Sequence, residues 1–113
     1  KLNVSGAFHS PFMKESSFKF SKYLDTLEFN QPSIPIICNS NPSICNDPNE
    51  LKVSFKNQMC NGVKWRQTMD LMKENSILQM VEIGPSNVLS GLCKRHLKDV
   101  KISQVSSSDQ IKY

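Results

Sequence analysis

The hydrophobic pattern changes period along the chain and predicts an alternation of strands and helices. Residues 2–8 read as a short strand. From 10 to 27, Phe12, Met13, Phe20, Leu24 and Leu27 recur at helical spacing. Ser10 stands where an N-cap would, and Pro11 at the first helical position loses only an N–H that has no intrahelical partner. Asn30 and Pro32 then break the chain. Residues 34–38, an apolar run with Pro35 near its start, suit a buried strand, and 39–46 read as a polar loop. Asp47-Pro48-Asn49-Glu50 supplies an N-cap, a first-position proline and a capping-box acid for a helix running to about Cys60, where Asn61-Gly62 stops it. A further helix spans 63–74, with Trp65, Met69 and Met72 on one side. Residues 77–83 form a strand, Gly84-Pro85 turns it into a helix from 87 to about 98, and 100–105 form a last strand.

The order β-α-β-α-α-β-α-β implies an α/β fold, with a short, mostly parallel sheet and flanking helices. About four short strands leave sheet edges uncovered, which predicts an incomplete domain over residues 1–105. Residues 106–113 read as a polar tail.

Composition narrows the function classes. The chain has 113 residues, 38% hydrophobic, with a formal net charge of +4. That length allows one small domain with a thin core. No apolar run is long enough to span a membrane, and none reads as a signal peptide. The positive charge suits an anionic partner such as a nucleotide cofactor or an acidic carrier protein. Its lysines are scattered with few aromatics between them, so no nucleic-acid footprint is predicted. Cys38, Cys45, Cys60 and Cys93 form no Cys-x-x-Cys pair, and His9 and His96 complete no metal-site spacing, so no metal is expected. Cys38 and Cys93 lie in apolar contexts that read as buried free thiols.

The stretch with most chemistry is Val4-Ser5-Gly6-Ala7-Phe8-His9-Ser10-Pro11-Phe12-Met13. It places His9 at a strand-to-helix junction, where α/β folds tend to build ligand sites. A histidine held there can shuttle protons near neutral pH; equally, it can be a turn histidine bonded to backbone with no chemistry.

Residues 5–13 resemble the histidine motif of malonyl-CoA:acyl-carrier-protein transacylases and of the acyltransferase domains in fatty-acid and polyketide synthases. Gln58 followed by Val63-Lys64-Trp65 resembles that family's Gln…Pro-Val-x-Trp segment. Glu82-Ile83-Gly84-Pro85-Ser86-Asn87-Val88-Leu89-Ser90-Gly91-Leu92 resembles its strand–Gly-Pro–helix segment near the C-terminus. The three occur in the family's order, and the resemblance covers nearly the whole chain. It implies the C-terminal part of the larger, hydrolase-like subdomain of such an enzyme. Two positions depart from the pattern: Ser86 replaces a usual Gly and Gly62 a usual Pro, which removes a positive-φ preference at one bend and rigidity at the other.

The resemblance further implies ping-pong malonyl transfer from malonyl-CoA to acyl carrier protein in fatty-acid synthesis. It makes His9 the general acid/base, Gln58 the residue whose backbone carbonyl orients that ring, and Phe8 a substrate-binding aromatic that disfavours an α-methyl branch. The residues alone leave open an exposed helix-end glutamine and a core aromatic. No Gly-x-Ser-x-Gly elbow occurs in the sequence. Neither Arg66 nor Arg95 matches the family's carboxylate clamp, so the nucleophilic serine and that arginine are expected upstream, in the part of the enzyme this chain would need as a partner. The isolated segment is therefore expected to be inactive. Lys94, Arg95, His96, Lys98 and Lys101 read as a solvated helix-end face or a contact for carrier-protein acids. The resemblance implies no cofactor and no membrane or nucleic-acid partner. It places the protein in a bacterial cytoplasm or a fatty-acid-synthesising organelle such as a plastid, apicoplast or mitochondrion. Two alternatives are an acyltransferase domain of a polyketide or multifunctional fatty-acid synthase, and a non-catalytic binding module.

Overall fold

The computed structural model describes residues 6–111. The strand expected over 2–8 lies largely outside them, and Gly6 to His9 at its end form a bend and a turn. A 3-10 turn, Pro11–Met13, leads into α1 (Lys14–Asp25). Ser10 has the extended backbone of an N-cap, but its hydroxyl donates to the Ala7 carbonyl at 2.6 Å instead of accepting from the helix. Phe12, expected on the apolar face, is 89% exposed, whereas Leu24 is buried. The helix thus buries a narrower stripe than its spacing suggests.

The chain divides into two compact units, one ending at Thr68 and one beginning at Met69. In the first, β1 (Ile36–Ile37) pairs antiparallel with β2 (Ile44–Cys45). The segment expected to be a polar loop therefore contains a strand: Ile44 and Cys45 return beside Ile37 and Ile36, and Cys45 is buried. Two apolar residues in a polar run are too few to show a period, which is why the pattern hid this strand.

α2 (Pro48–Gln58) starts as its sequence predicts. The Asp47 carboxylate accepts from the N–H groups of Asn49 and Glu50, both at 2.9 Å, and Pro48 holds the first position. Glu50 does not complete a capping box; its carboxylate accepts the Cys45 S–H at 3.3 Å. Leu51 packs with Cys38 and Cys45, and Phe29 and Ile36 close over them. α1 lies against α2: the Ser17 hydroxyl donates to the Lys56 carbonyl at 3.0 Å, and Lys56 pairs with Asp25.

α3 (Trp65–Glu74) crosses the boundary between the units. In the second unit, β3 (Gln79–Ile83) pairs in parallel with β4 (Lys101–Val105) through five residue pairs. α4 (Val88–His96) makes the crossover between them. This strand–helix–strand unit, with helices flanking short strands, is the α/β arrangement that the alternating pattern predicts. Cys93 and Leu97 are buried in it, and all four cysteines are free thiols. A 3-10 turn, Ser108–Gln110, lies in the polar tail.

Candidate active site

His9 has φ 63°, a left-handed conformation that costs a non-glycine residue about 1–2 kcal/mol. Such strain persists where the surroundings over-determine it. Here the turn after α2 does so. The His9 N–H donates to the Met59 carbonyl at 2.8 Å, and the ring Nδ1 lies 3.1 Å from both the Gln58 and the Asn61 carbonyl oxygens. The exposed ring is thus held by two backbone acceptors, and the His9 backbone by a third, all from one short segment.

That segment exists because α2 stops early. The sequence predicts a helix to about Cys60, but regular turns end at Gln58. Cys60 N–H bonds back to the Asn57 carbonyl at 3.3 Å and the Asn61 side-chain amide to the same oxygen at 2.8 Å. The last carbonyls of a helix have no intrahelical partner, and this tightened end turns those of Gln58, Met59 and Asn61 toward His9.

The chemistry of the ring follows. Both groups facing Nδ1 are carbonyl oxygens, which can only accept, so Nδ1 must carry the proton. In the neutral ring Nε2 is then the basic atom. Backbone carbonyls here do the orienting that an aspartate does in a Ser-His-Asp triad.

The three residues singled out in the sequence are therefore neighbours in one unit. Gln58 is half-buried and not the water-facing helix end that its residue type suggests. Its side-chain Oε1 accepts from the Ser40 hydroxyl at 2.9 Å. Phe8 is 56% exposed, so its ring belongs to no core; one ring edge lies so close to Gly6 that a Cβ there would sit 3.0 Å from it. Sequence reasoning missed Met59, Asn61 and Ser40. The first two act through backbone oxygens, which any side chain would supply, and Ser40 acts from a distant loop.

Elsewhere the polar groups are used for structure. Glu82 accepts from the N–H groups of Ser90 at 2.8 Å and Leu89 at 3.3 Å, closing the start of α4. Hydrogen bonding from Ser90, then from Leu89 and Ser86, holds its carboxyl below the ordinary value of 4.5. Burial, then the charge of Glu82, pushes the Cys93 thiol above its ordinary 9.0, and burial first of all does the same for Cys45. Raised thiols of this kind are poor nucleophiles. His96, within the basic stretch, donates from Nε2 to Asp70 at 2.6 Å. Ser86 is not among the residues at positive φ; Gly84 is, at 152°, so the preceding glycine makes that bend. Among the described residues no three His, Cys, Asp or Glu side chains are grouped to hold a metal ion, and no helix is long and apolar enough to cross a membrane.

No protein-family model matches the chain. Individual relatives do. A malonyl CoA-acyl carrier protein transacylase of Synechocystis is 37% identical over 110 residues, 97% of this chain and 38% of that protein. Its homologue in structure, the Synechocystis malonyl-CoA:ACP transacylase, superposes with a TM-score of 0.89 over 96% of this chain and 37% of that one, at 38% identity. In sequence and in fold, the chain corresponds to the C-terminal segment of the malonyl-CoA:acyl-carrier-protein transacylases. A polyketide-biosynthesis transacylase of Bacillus subtilis is 35% identical over 102 residues, 88% of this chain and 34% of that protein. A malonyl-transacylase solved in complex with its type II polyketide acyl-carrier protein matches with a TM-score of 0.87 at 30% identity, over 96% of this chain and 35% of that one. The chain spans little more than a third of the length of the transacylases it matches.

Proposed function

We propose that this chain supplies the general acid/base of a malonyl-CoA:acyl-carrier-protein transacylase. The observation that carries the proposal is the pair of carbonyl acceptors facing His9 Nδ1–H, which leaves Nε2 to take and return protons. In the first half-reaction a serine hydroxyl, on a part of the enzyme outside these residues, attacks the malonyl thioester and passes its proton to His9 Nε2. The C–S bond breaks, and His9 returns the proton to the departing CoA thiol. In the second, the carrier's pantetheine thiol gives its proton to Nε2 and attacks the malonyl-serine ester, and the serine oxygen takes the proton back as it leaves. Nδ1–H keeps both carbonyl partners in either protonation state, so the ring does not turn between steps. Exchange of this kind needs no cofactor.

The partners under this reading are malonyl-CoA, acyl carrier protein and the serine-bearing part, which would also hold the arginine for the malonyl carboxylate. The second unit supports the last of these. Parallel sheets are covered on both faces, yet Val81 and Ile83 project from β3 at 54% and 83% exposure. Phe8, next to the base, would line the acyl pocket and disfavour a branched acyl group. The protein would work in a bacterial cytoplasm or a fatty-acid-synthesising organelle.

The Bacillus subtilis polyketide-biosynthesis transacylase favours a second reading, in which the malonyl group is loaded for polyketide synthesis. Transfer to fatty-acid and polyketide carriers, compared side by side, separates the two.

The base assignment is tested by His9→Ala in the assembled enzyme, with malonyl transfer to carrier protein as readout. Loss of a positioned acid/base should slow transfer roughly 10²–10⁴-fold. An unchanged rate would leave the chain a non-catalytic module that keeps the motif as scaffold.

A further inference from the structure

The turn that holds His9 contains Gly62, which has nothing within 4 Å of the position a Cβ would take. Two hydrogen bonds clamp the turn at its ends, and both come from the segment just after β1. The Lys64 N–H donates to the Asn39 carbonyl at 2.8 Å, and the Ser40 hydroxyl donates to Gln58 Oε1 at 2.9 Å. Cys38, directly before them, is buried beside Cys45 and Leu51, so this clamp is rooted in the core of the unit.

Of the two bonds, Asn39 acts through its backbone and Ser40 through its side chain. The Ser40 partner is the residue whose own carbonyl faces His9. Gln58 is the last residue of α2, and its carbonyl has no partner within the helix. Tethering its side chain in a partly buried position restricts how that plane can rotate.

We infer that Ser40 is a positioning residue for His9: by holding the Gln58 side chain it keeps the Gln58 and Asn61 carbonyls convergent on Nδ1. The ring tautomer is thus set from a loop 18 residues away from Gln58 in sequence. Without the tether, water competes for the Gln58 carbonyl, and the neutral ring redistributes its proton between Nδ1 and Nε2. The consequence for catalysis rests on the reading of His9 as the base; the consequence for the tautomer does not.

The test is long-range proton–nitrogen correlation spectroscopy of the His9 ring in the full chain, with the imidazole neutral. The native chain should show the Nδ1–H form in clear excess. Ser40→Ala should lower the ratio of Nδ1–H to Nε2–H several-fold with the backbone spectrum otherwise retained, and Ser40→Thr, which keeps the hydroxyl, should restore it. Gln58→Leu, which removes the acceptor but keeps the carbonyl, should reproduce the change and replaces Ser40→Ala if that variant does not fold. A native ratio in these variants overturns the inference. A changed ratio together with an unchanged transfer rate for His9→Ala in the assembled enzyme would uphold the positioning and reject His9 as the base.

Discussion

Two helix ends in this chain hold a titratable side chain with backbone groups, and they do so with opposite polarity. At the C-terminal end of α2, carbonyls of Gln58 and Asn61 accept from a histidine ring. At the N-terminal end of α4, N–H groups of Leu89 and Ser90 donate to the Glu82 carboxylate. Both satisfy backbone groups that a helix cannot satisfy itself. The difference lies in what the side chain has left over. A carboxylate that accepts N–H groups with both oxygens is consumed as a cap. An imidazole that donates from one nitrogen keeps a basic atom on the other, at an exposed position. Under the proposed function, reactivity in this chain sits where hydrogen bonding fixes a group without using it up.

The largest break in the comparison should come from removing the charge at the donor end. Glu82 is held below its ordinary carboxylate value, so the stability it contributes is present above 4.5 and is lost as pH falls through its lower folded value. Protection of the Leu89 and Ser90 amides, measured against the intrinsic exchange rate at each pH, should fall over that acid range, and Glu82→Gln should show the low protection already at pH 7. Protection that ignores both pH and substitution would mean that α4 starts without this cap.

A smaller change sharpens the other end. Asp47 caps the start of α2, far along the helix from the carbonyls that meet His9, and Asp47→Ala should cost about 1 kcal/mol in urea unfolding. The His9 tautomer should not move with it. If it did, the helix as a whole, rather than its terminal turn, would be fixing the ring.

The smallest effect is expected at Gly62. Its φ lies outside the left-handed region and its surroundings are open, so Gly62→Ala should change stability by no more than about 0.5 kcal/mol, by restricting the unfolded chain. Gly84, at φ 152°, should tolerate the same substitution less well. Equal effects at the two glycines, measured by thermal unfolding, would show that backbone conformation is not what separates them.

How much of this was readable in the sequence follows the same division. The start of α2 was legible because Asp47, Pro48 and a following helix former carry their roles in their side chains. The strand–helix–strand unit was legible because each segment was long enough to show its period. Strand β2 was not, since two residues show no period. His9 and Gln58 were marked by resemblance, but nothing in the residues could say that they lie 3.1 Å apart. Asn61 was marked only as a helix stop and Met59 not at all, because peptide oxygens are the same in every residue. Glu82 stood inside a recognised segment, yet its capping role depends on where the next helix begins in space.

The central claim is that this chain provides a base and another part of the enzyme provides the nucleophile. Peptide mapping by mass spectrometry of the purified protein, before and after malonyl-CoA, tests it most directly. The account predicts that a serine outside these 113 residues gains one malonyl group, that His9→Ala suppresses the gain, and that this stretch stays unmodified. A malonyl group on a serine or cysteine within these residues would contradict it.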